Sequence, residues 1–240
     1  MSIADLRRIV ILFAFAVLVW VPEARAHHGK EYLLVQTSEL PHRGQFFFLA
    51  DFSAERGEGG TALAFAPAVL LGLSDRASIE IHSHVHREAG EQWSYEATAP
   101  ELRVSLTSPH SRAALRAALS AEYEIGHGEA PDRVAGTGVL AVYAGSSNLS
   151  FNLTAAREQE EGARTGWSYA VGFRPNLERR VDLGFELHGA LNDAAEEEGH
   201  ELMLGLYAQA SERVTLKAGV GRGFGDAPDW SFRGGFVIGF

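Results

Sequence analysis

Four side chains that can bind a metal ion or carry a proton alternate along residues 78–86: Glu80, His82, His84 and His86. Successive side chains of a β-strand point to opposite faces, so these four would share one face, with neighbours about 6.6 Å apart. Two adjacent imidazoles at this spacing could share one Zn²⁺ or Cu²⁺ ion. The simpler interpretation is that the histidines fill a hydrated interior, because three histidines on one straight strand cannot complete a tetrahedral site alone.

A partner for the histidine segment would have to come from another strand. His188, which shares its parity with Glu186 and Asp182, is such a candidate if the fold places it across the interior. The residue pattern favours histidines that line a hydrated interior over histidines that bind a metal ion. We therefore expect no cofactor, with Zn²⁺ or Cu²⁺ binding as the alternative.

In the same stretch, Ser83 neighbours His84. Adjacent residues of a strand face opposite sides, so this pair cannot form a catalytic relay. Ser94, Ser147 and Ser150 have no histidine close to them in the sequence, and the chain contains no nucleophile elbow, phosphate-binding loop or paired-cysteine motif. We expect a protein that is not an enzyme.

Strand-length segments with alternating character run along most of the chain. In the clearest of them, Val181, Leu183, Phe185 and Leu187 alternate with smaller, polar or charged residues. The pattern predicts twelve spans, at residues 45–53, 61–73, 77–87, 100–107, 114–125, 134–144, 148–156, 166–174, 180–190, 201–210, 214–222 and 231–240. Residues 112–119 could be helical by propensity, but their alternation favours a strand, and Pro67 predicts a local defect within the second span.

The connections between these spans alternate between short turns and longer, charged loops. Transmembrane β-barrels have short periplasmic turns and longer outer loops, and an even number of strands keeps both termini in the periplasm. This arrangement places the acidic runs at 158–161 and 196–198 outside the cell, where we interpret them as solvated loop tips. A soluble β-sandwich or lipocalin-like barrel would show the same alternation. The small and charged residues of one parity, and the aromatic residues at the ends of the spans, favour a membrane barrel.

The first 26 residues are typical of a secretory signal peptide. Arg7 and Arg8 precede an apolar block at 9–21, and a small-x-small cleavage motif ends at Ala26. The apolar block is shorter than the roughly 20 residues that a membrane-spanning helix needs. We expect a signal peptide at 1–26, a periplasmic lead-in or plug segment at 27–43, and an outer-membrane barrel at 44–240.

The mature chain is acidic and has no cysteine. Signal cleavage removes three arginines and two acidic residues, so the formal charge changes from −10 to −11. This charge argues against a nucleic-acid partner, because phosphates would be repelled. Cleavage also leaves His27 and His28 beside a free amine, which adds two potential metal ligands.

In each span, small, polar or charged residues alternate with apolar ones, and we expect the side chains of this polar set to line the interior. Besides the histidine segment, the expected lumen-lining residues are Glu122, Asp182, Glu186, His188, Lys217 and Arg233. Charges of both signs could form either a salt-bridged, closed lumen or a polar channel. A barrel of about twelve strands is intermediate in bore between filled eight-stranded barrels and open porins.

The chain ends on an aromatic alternation in which Phe236, Ile238 and Phe240 share one parity. This end resembles the closing strand of bacterial outer-membrane β-barrels, and the resemblance implies that these three residues are the signal read by the barrel assembly machinery. The segment Gly29-Lys-Glu-Tyr-Leu-Leu-Val-Gln36, followed by Leu40-Pro41 and Gly44-Gln45, is similar to barrels grouped with aromatic-degradation outer-membrane proteins. That second resemblance implies transport of small or hydrophobic solutes.

The sequence thus predicts an all-β, single-domain outer-membrane barrel of about twelve strands that acts as a passive pore or transporter for small solutes. Its expected partners are outer-membrane lipid, the assembly machinery and a small-molecule solute. Two alternatives remain open. One is a metal-binding barrel that uses the histidine segment, and the other is a closed structural or adhesive barrel that acts through its acidic outer loops.

Overall fold

The computed structural model of the protein describes residues 32–57, 60–108, 113–128, 130–195 and 199–240. The expected signal peptide, His27, His28 and the acidic run at 196–198 lie outside the described residues. None of the described residues belongs to a helix long and apolar enough to cross a membrane.

Twelve antiparallel strands form one closed barrel. Their bounds are β1 (Phe46–Gly57), β2 (Gly60–Ser74), β3 (Ala77–Arg87), β4 (Ser94–Ser105), β5 (Leu115–Gly126), β6 (Arg133–Ala144), β7 (Ser147–Glu158), β8 (Gly166–Arg174), β9 (Val181–Ala190), β10 (His200–Gln209), β11 (Val214–Phe224) and β12 (Trp230–Gly239). Each strand pairs with its neighbours in sequence, and β12 closes the barrel by pairing with β1 from Phe47↔Gly239 to Arg56↔Trp230. The predicted all-β fold with twelve strands is confirmed.

The two faces of the barrel wall differ in the way that the alternation predicts. On β9, the outward side chains of Leu183 and Phe185 are 53% and 54% exposed, whereas the inward Asp182 and Glu186 are 5% and 1% exposed. An apolar outer face around a polar interior is the reverse of a soluble barrel. The arrangement is typical of barrels that face lipid, and it excludes the β-sandwich and lipocalin-like alternatives.

Most connections at one end of the barrel are short and most at the other end are longer, but two depart from the predicted alternation. The β1–β2 connection, expected to be long, has two residues, and the β4–β5 connection, expected to be a tight turn, has nine. The β6–β7 turn consists of two residues and uses Gly145 with a φ of 62°, a left-handed conformation that favours glycine. The β5–β6, β7–β8 and β9–β10 connections at the opposite end are longer, as the bounds of these strands show. We call the two ends the turn end and the loop end.

Two departures from an ideal ladder concern the predicted spans. The β2–β3 pairing stops after Phe65↔Val85 and resumes in the same register at Ala68↔His82, so it is interrupted beside Pro67, as predicted. The fourth strand begins at Ser94, six residues before its predicted start at 100. A register shift in the β3–β4 ladder after His84 lets residues 94–97 keep pairing, and the small alanines there conceal the strand from a hydrophobicity pattern.

Candidate functional site in the barrel lumen

Residues 32–41, which we call the inner segment, enter the lumen from the turn end of the barrel. The strongest contact joins them to β9, where both carboxylate oxygens of Glu186 accept hydrogen bonds from consecutive backbone amides. Leu33 N donates to Oε1 over 2.9 Å, and Leu34 N and Val35 N donate to Oε2 over 2.7 and 3.0 Å. The Tyr207 hydroxyl donates to the same carboxylate. A single buried side chain therefore satisfies three amides of the segment.

Other wall strands hold the inner segment from different sides. Asn152 on β7 bonds both backbone groups of Gln36, accepting from its N–H over 2.6 Å and donating to its carbonyl over 3.0 Å. The Tyr32 hydroxyl donates to Oδ1 of Asn148 over 2.7 Å, and Lys217 Nζ donates to the Tyr32 carbonyl over 3.0 Å.

Side chains of the inner segment add two further anchors on the opposite wall. Gln36 Nε2 donates to Glu101 of β4 over 3.1 Å, and Glu39 forms a 3.0 Å ion pair with Arg116 of β5. The segment thus contacts inward side chains on both sides of the barrel, and it crosses the lumen.

Glycines of the wall provide the space in which the segment lies. A Cβ added to Gly172 would lie 2.7 Å from Cε1 of Tyr32 and 3.1 Å from Cγ2 of Val35, and one added to Gly219 would lie 2.6 Å from Cδ1 of Leu33. Any larger residue at either position would press against the segment. The wall of β8 and β11 is therefore shaped to receive this part of the chain.

The loop-end half of the lumen contains a cavity of about 480 Å³. Leu33, Leu34 and Gln36 of the inner segment line it on one side. Charged or titratable side chains of the wall also line it: Asp51, Glu55, His84, Arg133, His188 and Arg233. This mixed-charge chamber has the size of a small-molecule site.

The histidines of β3 lie on the lumen side of the wall, where His82 and His86 contact carboxylates and His84 contacts the ring of His82. His82 lies between Glu80 and Glu122, at 3.5 Å from each, and its ring meets that of His84 edge to face at 4.9 Å between centroids. His86 lies between Glu88 at 3.1 Å and Glu96 at 3.0 Å. Within the described part of the chain, no three His, Cys, Asp or Glu side chains are grouped so that they could hold a metal ion. The metal site stays a prediction without geometric support.

The remaining predicted lumen residues all face inward, and each meets a partner of opposite charge or a polar group. Asp182 pairs with Arg174 at 3.3 Å, and Lys217 pairs with Asp51 at 3.1 Å. His188 contacts Glu201 at 2.7 Å, and Arg233 reaches Glu55 at 2.9 Å. Asp182 contacts Arg174 and Glu186 contacts the inner segment, so neither lies against the β3 histidines. The residues suggested as partners for a metal site are therefore not brought together.

Sequence reasoning named Glu186 and Lys217 as lumen residues but missed the other residues that hold the inner segment. Glu101, Asn148, Asn152 and Tyr207 have the inward parity of their strands, yet nothing in the sequence distinguishes them from other polar lumen positions. The available signal was the apolar patch at 32–35 within an otherwise polar stretch, which indicates a buried element. Glu101 also completes a row of three carboxylates, since the register places it opposite Glu80 on one side and Glu122 on the other.

The lumen offers no serine–histidine relay among the groups described above. Ser83 contacts the hydroxyl of Tyr95 over 3.4 Å on the outer face of the wall, while His84 lines the lumen. Ser231 and His188 both bind the carboxylate of Glu201 from different sides. A histidine must contact the serine hydroxyl to activate it, and in these groups it contacts the carboxylate instead.

The terminal aromatic residues lie on the outer face of the β12–β1 seam. The ring of Phe240 packs against Phe46 with 5.6 Å between centroids, and Phe236 packs against Phe48 at 5.9 Å. Phe240 also donates its backbone N–H to the carbonyl of Phe46 over 3.0 Å. The three terminal residues therefore close the barrel structurally, whatever their part in assembly.

No protein-family model and no curated protein sequence matches the chain. Among solved structures, the COG4313 outer membrane channel from Pseudomonas putida F1 is similar with a TM-score of 0.61 and 12% identity, over 85% of this chain and 98% of that one. A NanC porin has a TM-score of 0.58 and 10% identity over 80% and 98% of the two chains, and a KdgM porin crystallised with disordered oligogalacturonate has 0.57 and 10% over 80% and 99%. The chain therefore has the closed twelve-stranded fold of bacterial outer-membrane channels and porins.

Proposed function

We propose that the protein is an outer-membrane pore for small solutes, in which the inner segment acts as a plug between the loop-end cavity and the turn end. The observation that carries this proposal is the chamber of about 480 Å³, which charged wall residues line and which the inner segment bounds. The solved neighbours with the same fold are named as a channel and porins. Passage would depend on bore and charge, and no cofactor is required.

The expected location follows from the surface of the barrel. An apolar outer face suits the hydrocarbon layer, and a closed barrel satisfies its backbone groups without an exposed edge. Export by the segment 1–26 and recognition of the terminal Phe236, Ile238 and Phe240 by the assembly machinery belong to the same proposal. Outer-membrane lipid and a small solute are then the partners.

The second candidate is a closed structural barrel, and the anchoring of the inner segment favours it. Five hydrogen bonds join Glu186 and Asn152 to backbone groups of residues 33–36 alone. Because a segment held in this way narrows the lumen, a permanently shut barrel would show the same contacts. In a pore, the inner segment either moves away or leaves enough space for solutes to pass. In a closed barrel, it does neither.

Conductance of the refolded mature chain distinguishes these candidates. The protein would first be shown to be folded by its altered mobility on a denaturing gel before boiling. Discrete conductance steps in a planar bilayer are then the expected result. Heat-modifiable protein that stays silent, both as wild type and after the inner segment is displaced by Gly172→Val, would contradict the pore and support the closed barrel.

A further inference from the structure

The outward face of the barrel wall carries very few charges, and all of them have the same sign. At outward positions of the twelve described strands, the ionisable acids and bases other than histidine and tyrosine are four arginines: Arg56, Arg87, Arg157 and Arg222. Each is the last or nearly the last outward residue at the loop end of its strand. The outward positions of the strands therefore carry only cations at the loop end, although the whole chain is acidic.

Two of these arginines flank a tryptophan across neighbouring strands. The register pairs Trp230 of β12 with Arg56 of β1 on one side and with Arg222 of β11 on the other. The Arg222 guanidinium lies over the Trp230 ring, with 4.9 Å from Cζ to the centroid. Since adjacent strands are about 4.8 Å apart, Arg56 and Arg222 are separated by only about 10 Å of barrel wall. We call this trio the arginine row.

A similar pair extends the cationic edge around the barrel. The Arg87 guanidinium lies over Trp93 with 5.1 Å from Cζ to the centroid. The indole rings of Trp93 and Trp230 are 51% and 46% exposed on the outer side of the wall, where tryptophan marks the boundary between hydrocarbon and head groups. The guanidinium groups are thus held by ring stacking at the depth of lipid head groups.

We propose that the arginine row binds the phosphate groups of an anionic lipid in the leaflet that faces the loop end. Guanidinium groups bind phosphate in a bidentate manner, and stacking on an indole leaves their N–H edges available. Among the residues that the structure describes, the acid in contact with the row is Asp229, which lies 3.6 Å from Arg222, and both side chains are about half exposed. An exposed pair of this kind is weak, so it does not neutralise the row.

This inference rests on the proposed membrane location, and it concerns the outer wall rather than the lumen. A lumen substrate would meet carboxylates and cations together, whereas the arginine row faces away from the cavity. A soluble anionic ligand is a poor occupant, because the row borders the apolar band that lipid chains cover. The lipid head group is the occupant whose charge and position both fit.

Native mass spectrometry of the refolded protein in neutral detergent tests the proposal with bisphosphorylated lipid A as the probe. We expect the double variant Arg56→Gln/Arg222→Gln to bind it about tenfold more weakly than wild type, and Arg56→Lys/Arg222→Lys to be intermediate. The matched control is Arg157→Gln, which removes an outward arginine at the same end whose register partner on β6 is Val134 rather than a tryptophan. Its affinity should equal that of wild type.

Two further probes separate the sources of binding. Wild type should bind dephosphorylated lipid A as weakly as the double variant binds lipid A itself. Inorganic phosphate at millimolar concentration should not displace lipid A from wild type. Equal binding of the dephosphorylated lipid, full competition by phosphate, or unchanged affinity in a folded double variant would overturn the proposal. Because the readout does not involve conductance, a protein that binds the lipid but passes no current would refute the pore and leave this inference standing.

Discussion

The backbone N–H of Val35 donates a 3.0 Å hydrogen bond to the carboxylate of Glu186, which is 151 residues away and almost completely buried. The same carboxylate accepts from the two preceding amides and from the Tyr207 hydroxyl. Hydrogen bonds to an ionised acceptor are stronger than neutral ones. This relationship makes Glu186 the principal connection between the inner segment and the barrel wall.

Replacing Glu186 with Gln should loosen the inner segment while preserving the barrel. An amide oxygen can accept from the backbone, but its NH₂ group cannot, so at least one of the three amides loses its partner at a cost of about 1–3 kcal/mol. We expect a higher open probability in planar-bilayer recordings. Glu124→Gln, which removes a lumen carboxylate that pairs with Arg133 instead, is the matched control. Identical gating in Glu186→Gln and wild type would refute the anchoring role.

Filling the space at Gly172 should displace the inner segment by a different route. In Gly172→Val the added atoms would meet the Tyr32 ring at less than 3 Å, a clash worth about 1–3 kcal/mol. The chain has no cysteine, so a single Leu34→Cys reports the change, because Leu34 lines the loop-end cavity. A thiol reagent added from the loop end should react at a different rate once the segment moves. Conductance of the same variant should rise.

The control for this experiment is Gly136→Val on β6. A Cβ at Gly136 would have the carbonyl oxygen of Ser120 as its nearest neighbour, at 3.8 Å, and it would project from the outer face of the wall. This variant tests whether an added β-branched side chain in a strand alters the barrel by itself. Equal changes in both variants would contradict a specific effect on the segment.

Most of the barrel was predictable from the sequence because the features that determine it lie within single strands and the connections between them. Alternation along each strand determines which face meets lipid. Most short and long connections lie at opposite ends of the barrel, although the β1–β2 and β4–β5 connections do not follow this rule. Residues such as Leu183 and Glu186 could be assigned to opposite faces from parity alone, and the structure confirms both. The early start of β4 was not predictable, because Ala97 and Ala99 carry no hydrophobic contrast with their neighbours.

The inner segment was not predictable beyond its existence as a lead-in or plug. Its position depends on contacts between residues more than 100 positions apart, such as Gln36 with Asn152. Parity shows that Asn152 faces the lumen, but it does not show which backbone lies opposite. The histidine segment shows the same limit. Alternation places Glu80 and His82 on the lumen side of β3, but it does not show that Glu122 of β5 lies 3.5 Å from His82.

The lumen should prefer cations. The inward positions carry more carboxylates than arginines and lysines, and the row formed by Glu80, Glu101 and Glu122 concentrates negative charge on β3–β5. In a KCl gradient we expect a reversal potential of the sign that indicates potassium selectivity. Glu80→Gln/Glu122→Gln should lower the cation-to-anion permeability ratio by roughly threefold. Glu178→Gln in the exposed β8–β9 turn is the control, and an anion-selective wild type would contradict the prediction.

Substitutions at Phe240 and Phe46 distinguish recognition by the assembly machinery from a contribution to the stability of the folded barrel. If the assembly machinery reads this residue, Phe240→Ser should reduce the amount of heat-modifiable barrel in cells while refolding in detergent remains efficient. Phe46→Ala removes the ring that packs against Phe240 but keeps the terminal aromatic. This control should lower stability by a few kcal/mol at most without a selective loss in cells. Equal behaviour of the two variants would indicate a structural role alone.

The β5–β6 connection at the loop end should loosen on acidification. The carboxylate of Asp132 accepts hydrogen bonds from the Tyr123 hydroxyl over 2.7 Å and from the Gly126 N–H over 3.0 Å. The bond from Tyr123, followed by that from Gly126, lowers the pKa of Asp132 below its ordinary value. Because the folded pKa is lower than the unfolded one, the stabilisation is present above the ordinary pKa of aspartate and is lost as the pH falls through the folded value.

Hydrogen exchange at the Gly126 amide measures this effect. After correction for the intrinsic rate, protection should decrease as the pH is lowered below the ordinary pKa of aspartate, and Asp132→Ala should lack both the protection and its pH dependence. Asp226→Ala, in the β11–β12 connection, removes a loop carboxylate at the same end and should leave Gly126 unchanged. Full protection of Gly126 in Asp132→Ala would show that the strand ladder alone holds this end of β5, and that the loops respond to acid through other groups.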